Sequence, residues 1–270
     1  MGSGVRHGRR LRRGLAAVAI ALVAVAGFVV IRDARRGYRS TDGATLEHFT
    51  LHSRAVGHDL HEILVRPPKG GRRVLLVLLH GRSSSPSSFL NQPFFDALAS
   101  LGGRAPAVLL LDGGDHSYWH DRADGRWGTM VLREAIPAGV RRTGATRVAI
   151  GGISMGGFGA LTIGARGTFC AVGSRSAAMW FQAGLSAAGA FDDAEDFARN
   201  GALIAHPPHY RAPVWMDVGA SDPFLDADVA YAHEVHAQLH VWPGGHSGSY
   251  WHQHVAEYLR FFADSCARRG

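Results

Sequence analysis

Arg147-Val148-Ala149-Ile150-Gly151-Gly152-Ile153-Ser154-Met155-Gly156-Gly157-Phe158-Gly159-Ala160 decides how the rest of the chain is read. An apolar run from Arg147 to Ile150 enters a Gly-x-Ser-x-Gly turn, and a small-residue helix start follows at Met155. Strand, tight turn and helix in that order are the setting of a nucleophile elbow. A serine hydroxyl reacts poorly at neutral pH, so it must stand exposed beside a general base and face N–H groups that can hold an oxyanion. Gly152 and Gly156 flank Ser154 where strand and helix approach too closely for a Cβ. Ser154 is therefore the candidate nucleophile, and the N–H of Met155, at the helix N-terminus, a candidate oxyanion donor. Neither G-x-G-x-x-G nor G-x-x-x-x-G-K-[ST] can be laid on these residues, which sets a nucleotide-binding turn aside.

Upstream, Val74 to Leu79 is a continuous apolar run, the mark of a strand covered on both faces. It ends in His80-Gly81-Arg82-Ser83-Ser84-Ser85-Pro86, a loop placed where a second oxyanion donor belongs, and the backbone N–H of Arg82 is the candidate. Leu46 to His52 and Leu60 to Arg66 read as antiparallel strands, Phe89 to Leu101 as a helix and Ala107 to Leu111 as a strand. Thr129 to Arg142 reads as a helix interrupted near Pro137. The alternation implies an α/β fold with a mostly parallel, doubly wound central sheet. Between strand and helix lies Asp112-Gly113-Gly114-Asp115-His116-Ser117-Tyr118-Trp119-His120-Asp121-Arg122, with Trp127 beyond. No H-x-x-x-H or C-x-x-C frame accompanies it, so no metal is expected, and its aromatics are read as a wall of the substrate cleft. His80, Tyr118, Trp119, Trp180 and Trp251 are the candidate cleft residues.

Downstream, Phe169 to Gly173 reads as a strand. Ala177 to Ala212 has no long strand, contains Trp180-Phe181 and an acidic helix from Asp192 to Asn200, and is the place for a small cap; His206 and His209 are read as surface-loop histidines. Val214 to Gly219 is a strand that runs into Asp222, whose carboxylate can fix a histidine tautomer. Asp217 lies inside that strand, and Asp226 and Asp228 begin the next helix, where acids suit the dipole. Leu239 to Trp242 is the last strand. His246 follows in a Gly-rich loop before a helix from about Tyr250 to Asp264; His252 and His254 are rivals held on that helix. His233 and His236, three apart, read as a solvated helix face. The order Ser154, Asp222, His246 is that of the α/β-hydrolases.

The chain has 270 residues, 46% of them apolar, enough for one large α/β domain. Its formal charge of +7 resides in residues 1 to 36, where eight arginines face Asp33; from Gly37 onward 21 basic and 21 acidic residues balance. A basic face for nucleic acid is thus unsupported. The organisation read from sequence is a basic N-terminal segment over residues 1–36 and a catalytic domain over 37–270. Leu15 to Ile31 carries no charge and lies between arginine clusters, five before it and three after, which predicts a membrane anchor with the rest exported. Ala24-Val25-Ala26 offers cleavage near Ala26, hence secretion, as the alternative. Cys170 and Cys266 could form one disulfide or remain two buried thiols, and the sequence leaves both open.

With these residues in place, the chain resembles the esterase D-like branch of the α/β-hydrolases, the putative esterases, which also contains mycolyltransferases. The resemblance rests on Gly151 to Gly157, on His80-Gly81-Arg82, on Asp217-Val218-Gly219-Ala220-Ser221-Asp222-Pro223-Phe224 and on Pro243-Gly244-Gly245-His246-Ser247. It implies an α/β-hydrolase fold and cleavage or transfer of a small-molecule acyl ester through an acyl-serine, with no metal or organic cofactor. Ser154, Asp222 and His246 match the family's nucleophile, acid and base. Acyl transfer to an alcohol and a non-catalytic cell-surface binding module are the alternatives.

Overall fold

The computed structural model describes residues 37–71 and 73–267. Leu15 to Ile31, and with it the expected anchor or leader, lies outside those residues. The chain divides into units 1–40 and 41–270, and the second carries the fold. Among the described residues no helix is long and apolar enough to cross a membrane.

β1 (Thr45–His52) and β2 (Asp59–Arg66) pair antiparallel along their full length. β2 also runs antiparallel to β4 (Ala107–Leu111), which pairs parallel with β3 (Val74–Leu79). A small hairpin, β5 (Asp121–Arg122) with β6 (Gly125–Arg126), stands apart. β7 (Arg147–Ile153), β8 (Val172–Arg175), β9 (Val214–Gly219) and β10 (Gln238–Trp242) continue the parallel part. The result is an eight-stranded sheet in the order β1-β2-β4-β3-β7-β8-β9-β10. β3 and β7 are central: β3 is apolar throughout, β7 is uncharged after Arg147, and both need cover on both faces.

Helices supply that cover: α1 (Gln92–Ser100), α2 (Trp127–Met130), α3 (Ile136–Thr143), α4 (Met155–Arg166), α5 (Ala194–Asp196), α6 (Leu225–Glu234), α7 (Gly248–Gln253) and α8 (Val255–Ala267). Side chains alternate along a strand, so Leu75, Val77 and Leu79 join one core with Trp119 and with Phe158 and Leu161 of α4. On the opposite face, Gly151 and its cross-strand partner Gly173 form a notch that Tyr258 and Phe262 of α8 fill, and a Cβ at either glycine would strike those rings.

Several boundaries differ from the sequence reading, each for a local reason. The helix expected over Phe89 to Leu101 is a 3-10 turn, Pro86–Phe89, followed by α1, because Asn91 caps the Phe94 N–H and restarts the helix. The interruption near Pro137 is a π turn, Val131–Ala135, set between α2 and α3 just before a residue with no N–H to give. The acidic helix is shorter than expected: α5 passes into a second π turn, Phe197–Gly201. The strand expected over Phe169 to Gly173 is β8, displaced toward the C-terminus, since Cys170 is tied by a disulfide to Cys266 on α8. The last helix is two helices, broken at His254. His236 lies beyond α6 with a φ of +52°, so it shares no helix face with His233.

Candidate active site

The elbow forms as its residues dictate. Ser154 has φ 57° and ψ −116°, a left-handed conformation for a residue with a Cβ, held by Ser154 N–H donating to Arg175 O at 2.9 Å and by Phe158 and Ala178 N–H groups donating to Ser154 O. A Cβ on Gly152 would fall on the Gly156 carbonyl, and one on Gly156 on the Leu79 carbonyl. Only glycine permits the crossing of β7, α4 and the end of β3. Tyr258 locks this strand from beneath, accepting the Gly152 N–H at 2.9 Å and donating to Gly173 O at 3.0 Å.

Ser154, His246 and Asp222, which lie far apart in sequence, meet here. Ser154 Oγ stands 2.9 Å from His246 Nε2, and His246 Nδ1 stands 3.0 Å from Asp222 Oδ2 and 3.2 Å from Oδ1. With its proton on Nδ1, His246 donates to Asp222 and leaves Nε2 free to accept the serine proton. His246 reaches Ser154 from the loop after β10, whereas Asp222 is fixed and buried after β9. Burial pushes the Asp222 carboxyl up, but hydrogen bonds from His246, the Phe224 N–H and the Ser176 hydroxyl outweigh it and hold the group below its usual range. Asp222 is therefore ionised beside the imidazole.

The two oxyanion candidates lie on segments that adjoin Ser154. Met155 opens α4 directly after Ser154, and Arg82 follows Gly81, where a Cβ would stand 3.4 Å from Ser154 Cβ. His80 fixes this loop. Its Nε2 accepts the Gly113 N–H at 3.0 Å, so its proton is on Nδ1, which donates to Gly81 O at 2.8 Å. Burial lowers its pKa, in keeping with that neutral form. The Gly81 carbonyl and the Arg82 N–H belong to one planar trans peptide and point opposite ways, so holding one aims the other.

A cavity of about 370 Å³ adjoins Ser154, His246 and Arg82. Of the five expected cleft residues only Trp251 lines it. His80, Tyr118 and Trp119 are core residues: Trp119 is fully buried against Gly113 and Gly159, and its Nε1 donates to His80 O. Trp180 packs on Tyr118, Phe191 and Phe224 instead. The stretch 177–212 is irregular, as expected, yet the cavity walls come from elsewhere: the β3 loop, the 3-10 turn, α1, α7 and α8.

The sequence reading missed a buried ion pair behind the site. Arg175, 1% exposed, donates from Nε to Asp217 Oδ2 at 2.9 Å and from Nη1 to Trp251 O at 2.6 Å, while its Nη2 has no protein partner. Trp251 in turn donates from Nε1 to Ser176 Oγ at 3.1 Å and sets its ring edge against His246. The signal was partial: Asp217 stands out as an acid inside a strand, but the strand read from sequence ends at Gly173, before Arg175, its cross-strand partner in the structure. Asp228 was also underread. It opens α6, but it is buried and accepts the Ala177 N–H, and burial raises its pKa well above the usual range. Among the described residues no group of three or more His, Cys, Asp or Glu side chains is gathered as a metal site would be.

The sequence model of the family described as "Putative esterase" matches residues 53–262. None of the curated proteins matches the chain. Among solved structures, it is similar to a ferulic acid esterase (TM-score 0.70, 22% identity, 82% of this chain and 99% of that one). It is also similar to an S-formylglutathione hydrolase from Agrobacterium tumefaciens (TM-score 0.69, 16% identity, 84% and 98%). A third similar structure is MPT51 (FbpC1) of Mycobacterium tuberculosis (TM-score 0.61, 16% identity, 82% and 99%). These structures share the α/β-hydrolase fold. The span of the family match, laid over the elbow and the loops just described, makes this chain a member of the putative esterase family.

Proposed function

We propose that the protein is a serine-dependent hydrolase of small-molecule carboxylic esters, and the hydrogen-bonded run from Ser154 through His246 to Asp222 carries that reading. Ser154 Oγ attacks the acyl carbonyl as its proton passes to His246 Nε2; the carbonyl electrons move to an oxygen held by the N–H groups of Met155 and Arg82. Collapse expels the alcohol, which takes the proton from His246, and leaves an acyl-serine. Water then attacks that ester by the same route, giving the acid and free Ser154. Asp222 holds the imidazole in the required tautomer and stabilises its cation. Transfer of the acyl group to an alcohol would share every step up to the acyl-serine.

A fluorophosphonate tests the reading, since it captures an activated serine. Wild-type protein should take up one equivalent on Ser154, and Ser154→Ala should take up none while losing turnover by roughly 10⁵ to 10⁶. Full turnover in folded Ser154→Ala would sink the proposal. We further propose an extracytoplasmic site of action, either anchored through residues 1–36 or released by cleavage near Ala26. The uncharged run Leu15 to Ile31 supports it, as does the Cys170–Cys266 disulfide, a bond that persists in oxidising compartments.

A further inference from the structure

We infer that the cavity beside Ser154 is the acyl site and that it takes a compact, uncharged, apolar acyl group of about a dozen non-hydrogen atoms at most. This rests on the reaction proposed above. The size limit comes from the volume: about 370 Å³ holds roughly twelve groups of about 30 Å³ each, the share of one water.

Three observations favour the acyl half over the alcohol half. The first is depth. Leu78, Phe94, Tyr258 and Leu259 line the cavity and are almost wholly buried, whereas Ser84, Ser88, Gly248 and His252, which also line it, are exposed. The cavity thus has a closed apolar end and an open polar mouth. The alcohol must leave and water must enter while the acyl group stays bonded to Ser154 Oγ, so the group that remains belongs at the closed end.

The second is hydrogen-bond saturation. Asn91 Oδ1 accepts the Phe94 N–H and Nδ2 donates to Phe89 O, and Ser88 Oγ donates to Ser85 O. An apolar occupant therefore strands none of these groups. The third is charge. Arg175 is the buried cation of the wall and Asp217 neutralises its charge; the Arg175 Nη2, without a protein partner, can donate to a neutral acceptor but leaves no net charge to balance an acyl carboxylate.

The test is a series of p-nitrophenyl esters of rising acyl length on the full-length protein, with a second series of fixed acyl group and rising alcohol size. kcat/KM should climb by roughly tenfold or more from acetyl to octanoyl, because a buried methylene in a fitted pocket is worth about tenfold or more at best, and fall for hexadecanoyl. The alcohol series should be nearly flat, and a terminal carboxylate on the acyl chain should abolish the gain. Val255→Phe, on the half-buried wall, should lower the octanoyl-to-acetyl ratio, and Phe94→Leu should raise the ratio for longer chains; either variant suffices if the other fails to fold. A flat acyl series, equal turnover of hexadecanoyl and octanoyl esters, or length dependence only in the alcohol would overturn the assignment while acetyl turnover still upheld the serine chemistry. No turnover of any ester and no fluorophosphonate labelling would instead refute that chemistry.

Discussion

Two loops leave the carboxyl ends of neighbouring strands, and they do opposite work. The loop after β3, residues 80–86, has one glycine, three serines and no large aromatic ring, and it meets Ser154 at Gly81. The loop after β4, residues 112–127, is rich in aromatics, carries Tyr118 and Trp119 at φ 49° and 58°, and buries both side chains. Hydrogen bonds tie it to the first loop, among them Gly113 N–H to His80, Ser83 N–H to Asp115 O, and Trp119 Nε1 to His80 O. The aromatic loop is a buttress and the plain one is the working surface. Aromatic content beside a site is therefore a poor guide to substrate contact when the same rings are needed to seal the core beneath a long loop.

That division can be broken by experiment, starting where the effect is largest. His246→Ala should reduce kcat/KM by roughly 10⁵ to 10⁶ with little change in melting temperature, while His254→Ala keeps most activity; a near-normal His246→Ala enzyme would transfer the base role elsewhere. Asp222→Asn should cost about 10⁴ in rate, since the imidazole would lose its tautomer. On the buttress, Trp119→Ala should cost about 3 to 5 kcal/mol of stability through a cavity next to Gly159, read by denaturant unfolding, with turnover of the folded fraction falling less than tenfold. A collapse of turnover at unchanged stability would make the two loops alike after all.

The smallest effect concerns the root of the buttress, where Glu62 accepts the Asp112 N–H at 2.7 Å. Burial pushes Glu62 up to about 8. Between about 4.5 and about 8 the folded protein keeps a proton that the unfolded chain has released, so stability should fall as pH rises through this window. Glu62→Gln should flatten that slope and be the more stable protein by up to a few kcal/mol above it. Parallel pH–stability curves for the two proteins would show that Glu62 is ionised when folded.

What sequence alone made legible follows from this contrast. The elbow, the parallel core and the order Ser154, Asp222, His246 are written in local terms: glycines at a crossing, apolar runs, acids and histidines after strands. All eight sheet strands were placed, with β8 misjudged because its start is set by a disulfide to a helix 96 residues away. The cavity was not legible. Phe94, Leu259, Val255 and Leu78 come from three elements, α1, α8 and β3, and each reads as ordinary helix or strand core until the packing of α1, α7 and α8 on one sheet face gathers them. The Arg175–Asp217 pair was half visible, since Asp217 stood out inside a strand but its partner lay in the strand whose register shifted.

The bond from Gly152 N–H to Tyr258 Oη spans 106 residues and closes the elbow with the last helix. In biosynthetic terms, the elbow's sequence emerges from the ribosome well before the helix that clamps it. A chain that stops short of α8 lacks the Tyr258 bonds that join the elbow strand to its neighbour. Closing a loop of that length costs more entropy than a local contact does. The proposed chemistry thus depends on a contact between segments that lie 106 residues apart.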